Sequence, residues 1–170
     1  LEPNEPANVL VIGNLFSALG RTDEAIAAYD EVLAAEPTNV EILVKLGSLY
    51  TKQQKYDKSV ALLSRAAAAQ PDSFIVQSHL GRAHALAGNY DAALTAYRAA
   101  ADLNPSADQI YLEMGFVYEQ RSQRDKAIES YKKALEINPQ SLLARRQLGG
   151  VYVAEGRLED ALKEYEQLVT

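Results

Sequence analysis

The chain has 170 residues, 48% hydrophobic and 24% charged, with a net charge of −6 and no cysteine. This composition belongs to a folded chain and excludes disordered and collagen-like classes, while the missing thiols exclude disulfides and every cysteine-containing metal site. The negative charge argues against a general affinity for nucleic acid or an anionic membrane, and apolar runs such as Val9 to Ile12 are too short to span a bilayer.

Taken in chain order, the residues repeat. Glycine recurs at Gly13, Gly47, Gly81, Gly115 and Gly149, and proline at Pro3, Pro37, Pro71, Pro105 and Pro139, each series 34 residues apart. Units of that period run over residues 6–39, 40–73, 74–107 and 108–141, with an incomplete fifth over 142–170. In the first unit Val9, Ile12, Gly13 and Phe16 share one face at helical spacing, and Ala25, Ile26, Tyr29, Val32 and Leu33 share another. The same positions recur downstream, with Tyr50, Tyr118 and Tyr152 in the place of Phe16, and Leu63, Tyr97, Tyr131 and Tyr165 in that of Tyr29. Each unit therefore reads as an antiparallel pair, helix A then helix B. Between the helices Gly20, Gly88 and Gly156 can take a positive φ. Asp23, Asp57, Asp91, Asp125 and Glu159 place an acid where it favours the dipole of helix B. The recurring proline then ends that helix. Small residues at repeat position 8, the glycine series, allow close approach, so a bulky side chain at Gly81 or Gly115 is expected to overpack the pair.

Catalytic chemistry is not in view. The two histidines, His79 and His84, lie five residues apart on one helix, roughly 140° apart around its axis, so they cannot chelate one metal as an i, i+4 pair does. His84 takes an aromatic core position, and His79 reads as a solvated or groove-edge residue. No phosphate loop and no strand pattern is present. The expectation is no enzyme, no catalytic residue, no cofactor and no metal site.

The pattern closely resembles the tetratricopeptide repeat family, and the resemblance covers the whole chain. It implies an all-α fold, a right-handed α-solenoid of helix-turn-helix repeats forming one domain, stabilised by nearest-neighbour interfaces. It further implies that helix A lines a concave groove that holds a peptide or protein segment, with repeat positions 2, 5, 9 and 12 facing it. Carried onto this chain, the groove residues are Leu10, Asn14, Val44, Ser48, Ser78, Arg82, Leu112, Phe116, Leu143, Arg146 and Val153. Ile75 (position 2) and Ser17 (position 12) belong to the same stripes. Phe116 and Arg146, helped by Arg82, are expected to recognise a hydrophobic anchor and an acidic group, unless Phe116 packs into the space beside Gly150. The lysine and asparagine set with which co-chaperone members hold a chaperone's C-terminal carboxylate is not matched here.

The partner is thus expected to be a protein or peptide, with no nucleic acid and no membrane insertion. Leu1 to Glu5 match the tail of a preceding repeat, so the chain reads as a window onto a longer solenoid, and end-to-end self-association is an alternative way to cover its ends. A docking or regulatory arm of a larger enzyme is a further reading. The absence of cysteine fits cytoplasm, the expectation, and periplasm alike.

Overall fold

The computed structural model describes residues 6–168. Among these all regular secondary structure is α-helical: α1 (Pro6–Ala18), α2 (Thr22–Ala35), α3 (Val40–Lys52), α4 (Tyr56–Ala69), α5 (Phe74–Leu86), α6 (Tyr90–Leu103), α7 (Asp108–Gln120), α8 (Arg124–Ile137), α9 (Leu142–Ala154) and α10 (Leu158–Glu166). The odd helices are the expected A helices and the even ones the B helices. The chain divides into two compact units, one holding α1–α5 and ending at Gly88, the other holding α6–α10 from Asn89 onward. That division falls inside the third 34-residue repeat, between its two helices. The expected repeat tail at Leu1 to Glu5 lies outside the described residues.

Local chemistry fixes each boundary. Helices α2, α4, α6 and α8 stop two residues short of a proline. The intervening residue has φ between −127° and −142° with ψ of 74–86°, because the following proline ring crowds it out of the helical region. Three of the four A helices that follow, α3, α5 and α9, then start on a side-chain cap, while α7 starts after Ala107 without one. Asn39 accepts from the Ile42 amide at 3.1 Å, Ser73 from Val76 at 3.4 Å and Ser141 from Ala144 at 3.3 Å. At the A-to-B turn Gly20, Gly88 and Gly156 have φ of 72°, 78° and 73°, as expected. The two units without glycine at this position adopt the same conformation with Gln54 (φ 60°) and Ser122 (φ 57°), where a Cβ crowds the backbone. The acids forecast for the first turn of each B helix are in place.

Packing within each unit turns on the position 8 glycines. A Cβ built on Gly13 would lie 2.7 Å from Tyr29 Cε1, one on Gly47 2.6 Å from Leu63 Cγ, one on Gly115 2.6 Å from Tyr131 Cδ1 and one on Gly149 2.9 Å from Tyr165 Cζ. Tyr29, Leu63 and Tyr131, from the middle of their B helices, are thereby almost fully buried against the bare backbone of helix A. Their burial, with that of Ile42, Leu46, Val117, Leu148 and Val151, supplies the cores. In the second repeat the buried Ser59 hydroxyl donates to the Gly47 carbonyl at 2.8 Å, so the one polar side chain at this close approach is satisfied. Successive repeats within a unit are tied by a recurring polar contact. Gln53 donates to Asp23 at 3.0 Å in the first unit, and Arg121 pairs with Asp91 in the same register of the second.

Two substitutions of opposite sign test this account. Gly115→Leu is expected to lower the thermal midpoint through overpacking worth about 1–3 kcal/mol, whereas Gln54→Gly should raise stability by about 0.5–1 kcal/mol by relieving the left-handed residue. The first is read by thermal unfolding and both by denaturant unfolding at constant pH.

Candidate functional site

In the first unit, α1, α3 and α5 bring several of the expected groove residues together. Asn14, Val44 and Ser48 line one open cavity of about 510 Å³ with Ser17, Tyr29, Lys45, Leu49, Lys52 and His79. Val44 and Lys45 also border a neighbouring cavity of about 620 Å³, whose apolar wall is Val40, Val44, Ile75 and Val76. The Tyr29 hydroxyl donates to Asn14 Oδ1 at 2.8 Å, and Ser48 is hydrogen-bonded to His79 Nδ1 at 3.1 Å. Leu10 is half-buried against the core and Arg82 is exposed. Ser78 donates to the Phe74 carbonyl at 2.6 Å, so its hydroxyl is committed to its own helix.

In the second unit Phe116 is 48% exposed, Leu143 42% and Val153 48%. Of the two consecutive arginines on α9, Arg145 is held by Glu164 at 3.1 Å and by the Pro139 carbonyl at 2.7 Å, while Arg146 stands exposed. No atom of Phe116 comes within 4 Å of a Cβ built on Gly150, whose nearest neighbour is the Tyr165 hydroxyl at 3.8 Å. The space beside that glycine is therefore not where the ring packs. Leu112, expected in the groove, is only 9% exposed and contributes to burial instead. Position 5 falls at the edge of the apolar stripe, so a leucine there is drawn inward.

Sequence reasoning passed over Lys45, Lys52 and Tyr29. The lysines occupy repeat positions 6 and 13, each one step from a groove stripe and on the same side of helix A, which is the signal that marks them. Tyr29 is a core ring by its packing and also lines this cavity of the first unit. His79 is half-buried and lines the same cavity. Burial, with the Arg82 guanidinium on the same helix, pushes its imidazole below the ordinary range, and burial alone does so for His84, whose Nδ1 is enclosed without a hydrogen-bond partner. On α8 the Tyr131 hydroxyl donates to Glu119 from a buried position, and burial and that carboxylate raise its pKa far above the usual phenol range. Among the described residues no group of three His, Cys, Asp or Glu side chains is placed to hold a metal ion. No helix among them is long and apolar enough to cross a membrane.

The tetratricopeptide repeat family matches the chain at residues 17–82, 81–122 and 109–141. Among solved structures the chain is similar to a crystal structure of MamA, with 32% identity and a TM-score of 0.88 over 93% of this chain and 92% of that one. A second MamA crystal structure shares 30% identity with a TM-score of 0.89, over 96% and 90%. A MamA structure from Desulfovibrio magneticus RS-1, 20% identical with a TM-score of 0.91 over 99% and 96%, bears on the fold alone. Comparison with curated proteins finds no match.

The two imidazoles set a pH dependence. Both titrate lower in the folded chain than in the unfolded one, so as pH falls the unfolded chain takes up protons first and stability drops. The decline begins near the ordinary imidazole value of about 6.5. Denaturant midpoints measured from pH 7.5 down to 5.5 should fall, and His84→Tyr, which supplies the ring found at this position in three other repeats, should flatten the slope.

Proposed function

The chain belongs to the tetratricopeptide repeat family, and we propose that it works by holding an extended segment of a protein partner in the concave groove lined by its A helices. At the coarser level it is a protein-interaction scaffold, which both its repeats and its likeness to MamA support. The observation that carries the finer reading is the exposure of apolar side chains on A helices. Phe116 is nearly half exposed on α7, and Leu143 and Val153 accompany the exposed Arg146 on α9. Large apolar groups left in water next to a cation are costly to a free protein and valuable to a complex, and an aromatic with an arginine is the usual make-up of a binding hot spot. Within the first unit, taken by itself, Asn14, Val44 and Ser48 line a cavity on the A helices.

Self-association is a second reading. It is favoured by the exposure of Val11 and Leu15 on α1, of Leu19 in the turn after it, and of Leu158 and Leu162 on α10, and a mass that rises with concentration in light scattering would carry it. Partner capture separates the two. Proteins retained from extract of the source cells by the immobilised wild-type chain should be bound about tenfold more weakly by Phe116→Ala and by Arg146→Glu, with unchanged helicity by circular dichroism. Retention unaffected by both variants would remove the groove reading.

A further inference from the structure

The two cavities of the first unit are adjacent and chemically unlike. Around Val44, Ile75 and Val76 the wall is apolar, and Ile75 is 59% exposed. Beyond Val44, toward the C-terminal end of α3, the second cavity has Lys45 and Lys52 on its wall and no carboxylate among its lining residues. That is a local reversal of sign in a chain of net charge −6. Lys45 reaches Glu41 at 3.4 Å, an exposed i, i+4 pair of the kind that contributes little and exchanges readily. Lys52 has no ion-pair partner among the described residues. The remaining polar groups are largely satisfied by one another, through Tyr29 with Asn14 and Ser48 with His79. The unmet electrostatic demand of the cavity is therefore for negative charge. Asn14 keeps its amide NH2 group to donate to a main-chain carbonyl.

We propose that these two cavities together bind an internal acidic stretch of a partner, with a hydrophobic side chain seated against Val44 and Ile75, one carboxylate side chain beside it facing Lys45 and another three to four residues away facing Lys52. The spacing follows from α3. From Val44, Lys45 is one residue and Lys52 eight residues along the helix, roughly 1.5 Å and 12 Å along the axis at 1.5 Å per residue. An extended chain covers the shorter distance within one residue and the longer in about three to four. The lysines stand two helical turns apart, roughly 10 Å, a spread that suits side-chain carboxylates distributed along a segment better than one terminal carboxylate. This inference rests on the reading of the A-helix face as the partner surface, and adds the chemistry of the partner.

Its test uses the whole chain and C-terminally amidated twelve-residue peptides, each with one leucine and two aspartates at separations of one to six residues in a serine-glycine background. Fluorescence anisotropy should show binding strongest with one aspartate next to the leucine and the other three to four residues away, weakened at least tenfold when the aspartates become serine or lysine. The double variant Lys45→Glu/Lys52→Glu should lose it, as should Ile75→Asp, whose exposed position leaves folding intact. Binding should fall steeply with added salt. Indifference to the aspartates or to the lysine variants would overturn the proposal, as would a preference for free-carboxylate over amidated peptides or no binding by any peptide of the set. In each of those outcomes, partner capture from extract that still depends on Phe116 would leave the groove reading standing without this one.

Discussion

Everything in each unit hangs on one contact, a side chain from the middle of helix B lying on a stretch of helix A that has no side chain of its own. At Gly115 the Tyr131 ring occupies the volume where a Cβ would be, and Gly13, Gly47 and Gly149 receive Tyr29, Leu63 and Tyr165 in the same way. Close approach brings two benefits together. The ring buries its apolar surface almost completely, and helix axes this near let the flanking small residues, Ala25, Ala127 and Ala161, pack without voids. A repeat held in this manner has little freedom left in the angle between its helices. The position of the next A helix within the unit is then set by its predecessor, aided by the Gln53–Asp23 and Arg121–Asp91 contacts. Rigid helix placement is what allows side chains on different A helices to form a common surface.

Much of the fold was legible in the sequence because the constraints that build it are local and repeat. A proline that crowds its predecessor, an acid at a helix start and a glycine that admits a ring act within one 34-residue unit and leave the same mark in each. The helix order and the positive-φ turns followed directly. What did not follow were the places where a unit solves the same problem with a different residue. Gln54 and Ser122 take the left-handed conformation without glycine, and Asn39, Ser73 and Ser141 cap the A helices at a position whose identity varies. Such substitutions hide from a search for identical residues while preserving the geometry.

The candidate site was legible only in outline. Stripe counting placed Asn14, Val44 and Ser48 on one face, and the three line one cavity together. It erred at Leu112, since a residue at the edge of a stripe is assigned by the space its neighbours leave, not by helical angle alone. It also passed over Lys45 and Lys52, whose long stems carry their charge across from adjacent positions. Side-chain reach is a property of three dimensions, and a one-dimensional period does not contain it.

The tyrosines that fill the gaps opposite glycine also end in hydroxyls, and these emerge on the other side of the core. Tyr29 fastens Asn14, and Tyr131 fastens Glu119. These two A-helix side chains are thus fixed by the same rings that lock the helix pair, so less conformational entropy remains to be lost in any contact they make. Where the second repeat replaces the tyrosine by Leu63, no such fastener exists, and Ser48 turns instead to His79 of the next helix. Core composition therefore decides, repeat by repeat, whether an A-helix side chain is tethered to its own repeat or coupled to its neighbour.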